Sequence, residues 1–307
     1  METWIPLALL APLLYTGSNF IDKYLIEKIT ENSPATVITI LAGLAGLPFL
    51  IVVGFASSSA IADYGFINAL GATVSGLILI YSFYFYYKAL LIADASIVAA
   101  LFQLIVVFNY IFGLIFLNEH LSLLQLSAMA MVIAGSVLLT LESHEKKLKL
   151  NKKVFLLMLF SCFLIGISDV IFKSIAKDSA FWPTQFYEYS AGVIAGAFLL
   201  LFYSRARQGF FIMMKKFKSL AIGASGLNEV FNLGGLISMR YAMFLAPIAV
   251  VQAVMSVQSV YLLIIGVLLT ILFPKYIKEN ITKKHIAQKA IAILIMIIGT
   301  AILALNS

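Results

Sequence analysis

The chain has 307 residues, 62% of them hydrophobic and only 11% charged, with a net charge of +7 and a mean hydropathy of +1.03. A soluble domain carries about a quarter charged residues, so this composition excludes one and puts the chain in a bilayer. Apolar blocks of the ~20 residues a span requires fill its whole length, which leaves no room for a separate catalytic domain.

The first block, near 4 to 26, follows a Met1–Thr3 stretch without Lys or Arg, and the apolar run from Trp4 continues through Gly17. It lacks the basic n-region, short core and cleavage site of a signal peptide and reads as a retained first span. Further spans are predicted near 35 to 55, 65 to 87, 95 to 117, 121 to 141, 154 to 176, 184 to 203, 219 to 245, 247 to 273 and 286 to 305. The fold class is therefore an all-α integral membrane protein with ten transmembrane helices. The longest polar interruption, Glu142 to Lys153, is its midpoint.

The two sides of that midpoint repeat one another. Ser18–Lys23 aligns with Ser168–Lys173 at an offset of 150, and Pro34 corresponds to Pro183. The small-residue pair Ala42/Gly46 corresponds to Gly192/Gly196, Ala89 and Ala93 match Ala242 and Ala246 at an offset of 153, and Ile133–Leu139 matches Ile297–Leu303 at 164. The expected units are a first five-helix repeat at 1–141, a linker at 142–153 and a second repeat at 154–307. Five spans per repeat is an odd number, so the second copy enters from the opposite face and the repeats are inverted, an arrangement used by secondary transporters for alternating access.

Eighteen of the 21 basic residues fall on the side of the 142–153 linker, leaving Lys173, Lys177 and Arg240 for the other. The positive-inside rule makes the linker side cytoplasmic and puts both termini outside. The basic loops then face acidic lipid headgroups, so membrane lipids rather than nucleic acid are the expected partners. Cys162 lies alone in an apolar run, and His120, His144 and His285 sit near predicted helix ends, so no metal or cofactor is implied.

Gly17-Ser18-Asn19 with Lys23, then Tyr87-Lys88-Ala89-Leu90 running into Ala95–Ala100, resembles the drug/metabolite transporter superfamily. Leu117-Asn118-Glu119-His120-Leu121-Ser122-Leu123-Leu124-Gln125, leading to Ile133–Ser136, is similar to that family's Gly-Glu-x-Leu-Thr/Ser-x-x-Gln turn and following helix. The resemblance covers nearly the whole chain. It implies an EamA-type transporter, multi-pass in a bacterial inner membrane, with a central cavity lined by helices one, three, four, six, eight and nine.

Charges inside a span are retained for a pathway, a partner or a substrate. Glu229, mid-way along span eight without a basic neighbour within two turns, is the leading candidate for a proton or amine site. Asp169 and Lys173 stand i, i+4 on one helix face, either neutralising each other or contacting substrate, with Asn19 and Lys23 as their counterparts. Lys23 reads as a snorkelling lysine, and Glu188 and the belt aromatics Trp182 and Tyr87 as interfacial. Tyr81 and Tyr84 lie deeper and suit a cation cage. Tyr15, Gln103, Asn232, Gln252 and Gln258 add polar groups near the cavity positions that the resemblance implies.

Two functions follow. One is a secondary carrier for a small polar metabolite, favouring an amine-bearing one such as an amino acid or a quaternary ammonium compound, with possible proton coupling. The other is a flippase for a lipid-linked or phosphorylated substrate, docking headgroups on the basic surface. No His cluster, paired carboxylates or nucleophile–base pair supports an enzyme, and no P-loop an ATP-driven pump.

Overall fold

The computed structural model describes residues 3–29, 34–93, 98, 101–140, 152–178, 181–272 and 283–306. Among these it is helical throughout, without a strand: α1 (Trp4–Ile29), α2 (Pro34–Ala45), α3 (Leu47–Ala56), α4 (Ser58–Ala62), α5 (Phe66–Leu90), α6 (Leu104–Leu117), α7 (Leu123–Thr140), α8 (Lys152–Asp178), α9 (Phe181–Phe202), α10 (Ser204–Leu245), α11 (Ile248–Met255), α12 (Gln258–Leu272) and α13 (Lys283–Leu305). Six helical segments are long and apolar enough to cross a membrane: Trp4–Asp22, Thr36–Ala56, Phe66–Leu90, Lys152–Ala176, Phe181–Phe202 and Ile248–Leu268. Leu104–Leu117, Leu123–Leu138 and Ala290–Leu305 are shorter apolar helices. With the apolar C-terminal part of α10 they follow the order of the spans read from the sequence.

The second span is two helices. Pro48 has no N–H and its ring crowds the carbonyl one turn earlier, so the chain closes a tight turn at Gly46, whose N–H donates to Gly43 O at 3.3 Å, and restarts as α3. The ninth span also breaks, where Ser256 N and Val257 N donate to Ala253 O and Val254 O at 3.0 Å in place of the regular ladder. A matching turn at Gln103 precedes α6, with Val106 N donating to Gln103 O at 3.1 Å. Gln103 and Ser256 are related by the 153-residue offset, and they meet, Ser256 Oγ donating to Gln103 Oε1 at 2.5 Å.

The helix pairings come in sets that exchange the halves of the chain. α1 packs on α10 as α5 packs on α8, α2 on α10 as α9 on α5, and α6 on α8 as α1 on α11 and α12; α2 meets α9, and α7 meets α13. The last contact is reciprocal in detail. A Cβ on Gly135 would lie 2.9 Å from Ala292 O and one on Gly299 2.9 Å from Ala128 O, and both pairs of positions stand 164 apart. Close helix approach through small residues, expected for Ala42/Gly46 and Gly192/Gly196, centres on Gly43: a Cβ there would sit 2.5 Å from Gly192 O.

One expectation is corrected. The polar interval from 205 to 218, expected to be a loop, belongs to α10, which runs unbroken for 42 residues. No proline interrupts it, and its first turns hide Ala206 and Met213 while Arg205, Arg207, Lys215 and Lys216 stay exposed. That amphipathic pattern sustains a helix before the apolar part begins.

Candidate functional site

A cavity of about 250 Å³ opens between the halves. Each helix gives it one face. Tyr15, Asn19 and Asp22 are spaced i, i+4, i+7 on α1, and Glu229, Asn232, Leu236 and Met239 fall i, i+3, i+7, i+10 on α10. Phe83, Tyr86 and Tyr87 come from α5, Ile165 from α8, Glu188 and Tyr189 from α9, Gln103 from the turn before α6, and Gln252 and Gln258 from α11 and α12. The helices implied by the family resemblance are all represented, and α2 and α9 add to them through Thr39, Gly43 and Glu188.

α1 and α10 run antiparallel, with a Cβ on Gly235 meeting the Tyr15 ring at 3.0 Å and Asn228 Nδ2 donating to Asp22 Oδ1 at 2.7 Å. This register brings Asp22 level with Glu229. Glu229 is 5% exposed, and the Tyr189 hydroxyl donates to its Oε1. The two carboxylates thus sit at one end of the cavity beside the rings of Tyr86 and Tyr87. Among the described residues lining the cavity there is no Lys, Arg or His.

Behind the other end lies an ionic cluster with no exposure at all for Arg240 and Asp169. Arg240 Nη1 donates to Asp169 Oδ1 at 2.6 Å, while Nη2 donates to Glu188 Oε1 at 2.6 Å and to Ser168 Oγ at 3.2 Å. Asn109 Nδ2 donates to Asp169 Oδ2 at 2.8 Å, Ser75 Oγ to Glu188 Oε1 at 3.0 Å, and the guanidinium lies 4.5 Å above the Phe172 ring. A buried charge requires this density of partners, since its desolvation is repaid only by close pairing and by hydrogen bonds on the remaining atoms. Glu188 is therefore central rather than interfacial, because its carboxylate completes the guanidinium fork.

Lys173 has another role. Its Nζ lies 2.6 Å from Glu119 Oε1 and donates to Ala246 O at 2.6 Å, while Glu119 Oε2 accepts the Ile248 N–H at 2.9 Å. Asn118, with φ +53°, turns the chain after α6 so that Glu119 reaches α11 and caps its first turn. Asp169 is thus held by Arg240 and Lys173 by Glu119. Arg240 bridges Asp169 and Glu188 at once, and Lys173 reaches Glu119 in the α6–α7 turn.

Of the candidates read from the sequence, Glu229, Asn19, Gln103, Asn232, Gln252 and Tyr15 line the cavity together. Asp169 and Lys173 stand behind it. Tyr81 and Tyr84 do not line it: Tyr81 is 53% exposed, it stacks on Tyr84 at 6.3 Å, and Tyr84 is covered by Lys88, 4.4 Å from its centroid. On α5 Tyr81 sits on the opposite side from Phe83 and Tyr87, whereas Tyr84 packs beside Tyr87 and Ile38 at the edge of that face. Tyr87, expected in an interfacial belt, is buried and in the cavity. Lys23 and Lys177 have side chains outside the described residues.

Sequence reasoning missed Asp22, Tyr189 and Arg240. Asp22 was legible as i+7 from Tyr15, and Arg240 as i+11 from Glu229, three turns along one face. Tyr189 carried no signal, because its partner is 40 residues away on another helix.

The EamA-like transporter family matches residues 2–141. Comparison with curated proteins returns no match. A solved structure described as "Crystal structure of protein" superposes with a TM-score of 0.65 at 16% identity, covering 99% of this chain and 96% of that one, a likeness of fold. The family is one of membrane transporters of small molecules. Over residues 2–141 the all-helical, multi-span chain is thus similar to the EamA-like transporters of the drug/metabolite transporter superfamily.

Proposed function

We propose that the protein is a secondary carrier, not an enzyme, moving small amine-bearing organic cations by alternating access between two inverted five-helix repeats. Ten spans, a cytoplasmic linker at 142–153, outward termini and residence in a bacterial inner membrane complete the reading. The observation that carries it is the pairing of Asp22 and Glu229 on facing helices in an aromatic cavity whose described lining has no basic side chain. In low dielectric such carboxylates favour a cation or a proton as counter-charge, and π faces add to the attraction for a cation. Proton exchange for the cation at Glu229 then couples the two movements.

The geometry gives less support to a flippase for phosphorylated substrates. Its anionic group requires cations in the cavity, whereas Arg240 and Lys173 stand outside the lining and are held by carboxylates. Interrupted helices at Gln103 and Ser256 support a carrier, since broken spans facing a central site are a recurrent transporter device. The test is Glu229→Gln in proteoliposomes. Proton-coupled amine uptake should fall at least about tenfold, equivalent to ~1.4 kcal/mol, with thermal stability within about 1 kcal/mol of the parent, since Gln still accepts the Tyr189 hydroxyl. Full coupled uptake by the variant would remove Glu229 from the mechanism.

A further inference from the structure

We infer that the cavity is built for a two-headed cation: a short chain with an N–H-bearing nitrogen at each end, of the diamine or aminoalkyl-guanidine class. The inference rests on the organic-cation reading above and narrows it. Acidic groups meet the cavity at two levels. Asp22 and Glu229 form one pole, and Glu188, in front of Arg240 and Asp169, forms the other. Along α1 the distance from the level of Asp22 to that of Tyr15 is seven residues, about 10 Å at 1.5 Å per residue. Tyr15 faces Gly235, and the Arg240 side chain, tilted towards the N-terminus of α10, brings the Glu188 pole to that level. Glu188 and Tyr189 are neighbours on α9, yet one reaches Arg240 and the other Glu229, so a single helix turn touches both poles.

Free acceptors point to the same ligand. Glu188, 2% exposed, leaves Oε2 without a hydrogen-bond partner among the described residues, and Gln252, 6% exposed, leaves Oε1 likewise, and both residues line the cavity. An unpaired buried acceptor is met by a donor, which a quaternary ammonium lacks and a primary ammonium or guanidinium supplies. A zwitterion fits poorly, because no basic side chain among the described lining residues receives its carboxylate. The rest of the lining combines apolar Leu79, Phe83, Ile165, Leu236 and Met239 with the amides of Asn19 and Asn232. After a hydrogen bond of about 2.8 Å at each end, roughly 5 Å remains between the nitrogens, the span of an extended chain of about three carbons or of a four- to five-carbon chain with gauche bonds. Charge agrees: Asp22, Glu188 and Glu229 in the lining, with Asp169 behind, outnumber the one guanidinium of Arg240, and a dication offsets more of that excess than a monocation does.

The experiment measures Kd for the purified full chain in nanodiscs. Butylamine is compared with diaminopropane, diaminobutane, diaminopentane and diaminododecane, with fully methylated diaminobutane and with aminobutyric acid, and uptake of the same compounds is followed in proteoliposomes. Diaminobutane should bind at least about tenfold more tightly than butylamine. The dodecane, the methylated compound and the amino acid should be weaker than diaminobutane. Glu188→Gln and Glu229→Gln should each shrink the diamine advantage below about threefold; should Glu188→Gln fail to fold, Glu229→Gln with the length series still decides. Equal binding of butylamine and diaminobutane, or undiminished binding of the methylated diamine, would overturn the two-headed cation while leaving the carrier of amines intact. Binding of phosphorylated compounds and of none of the amines would overturn both.

Discussion

Arg240 concentrates the residue-scale physics of this protein. It is one of the largest fully buried side chains, and both of its terminal nitrogens are committed to carboxylates on α8 and α9. Removing one partner of such a group leaves an uncompensated charge and costs about 3–5 kcal/mol. Arg240→Gln should therefore lower the midpoint of unfolding strongly, in a thermal or denaturant series in detergent. Adding Asp169→Asn and Glu188→Gln to it should recover part of the loss, because the charges left behind are then removed as well. A single variant as stable as the parent would contradict the pairing. Glu229 behaves differently, since a hydroxyl donor meets it rather than a cation, and its substitution is read out in transport instead.

The interrupted and capped helices decide the shape of the site at the scale of the element. α11 begins after Pro247 with free backbone N–H groups, one of which is taken by Glu119 from the α6–α7 turn. Glu119→Ala removes this cap and the partner of Lys173 together. It should destabilise the protein by at least about 1 kcal/mol, and the unfolding midpoint should show it, whereas Glu119→Gln, which keeps the acceptor, should retain part of that stability. Glycines set the helix spacing. Gly43 lies against the backbone of α9, with no room for a Cβ, so Gly43→Leu should cost about 1–3 kcal/mol or more by forcing α2 and α9 apart. Lower yield of folded protein by size-exclusion chromatography, together with a lower midpoint, is the expected readout.

The whole molecule is two halves whose contacts exchange, and its orientation is a matter of charge. Lys173 and Arg240 are held in ion pairs rather than at a surface, so the linker side holds the exposed basic residues even more decidedly than a bare tally suggests. With the linker side cytoplasmic, a cysteine placed at the C-terminus, Ser307→Cys, should react with an impermeant thiol reagent in intact cells. The native Cys162 is buried and supplies a silent background. Labelling only after lysis would reverse the orientation, and with it the assignment of the Glu119–Lys173 contact to the outer face.

Membrane character, the order of the apolar segments and the twofold kinship of the halves were already written in the sequence, because they depend on hydropathy along the chain and on matches between its own segments. The face of each helix that lines the cavity was half legible: a period of 3.6 puts Tyr15, Asn19 and Asp22 on one side, but periodicity does not say which side is inward when lipid and protein interior are equally apolar. For that reason the sequence suggests Tyr81 and Tyr84 for the cavity and Tyr87 for a belt, whereas in the fold Tyr87 lines the cavity and the other two do not. Partnerships between charges were beyond the sequence altogether. Asp169 has Lys173 one turn away, yet it pairs with Arg240, 71 residues on, because a guanidinium buried between two helices can satisfy two carboxylates that a lysine cannot. Only tertiary packing brings those three helices to one point, and with them the two acidic poles of the cavity.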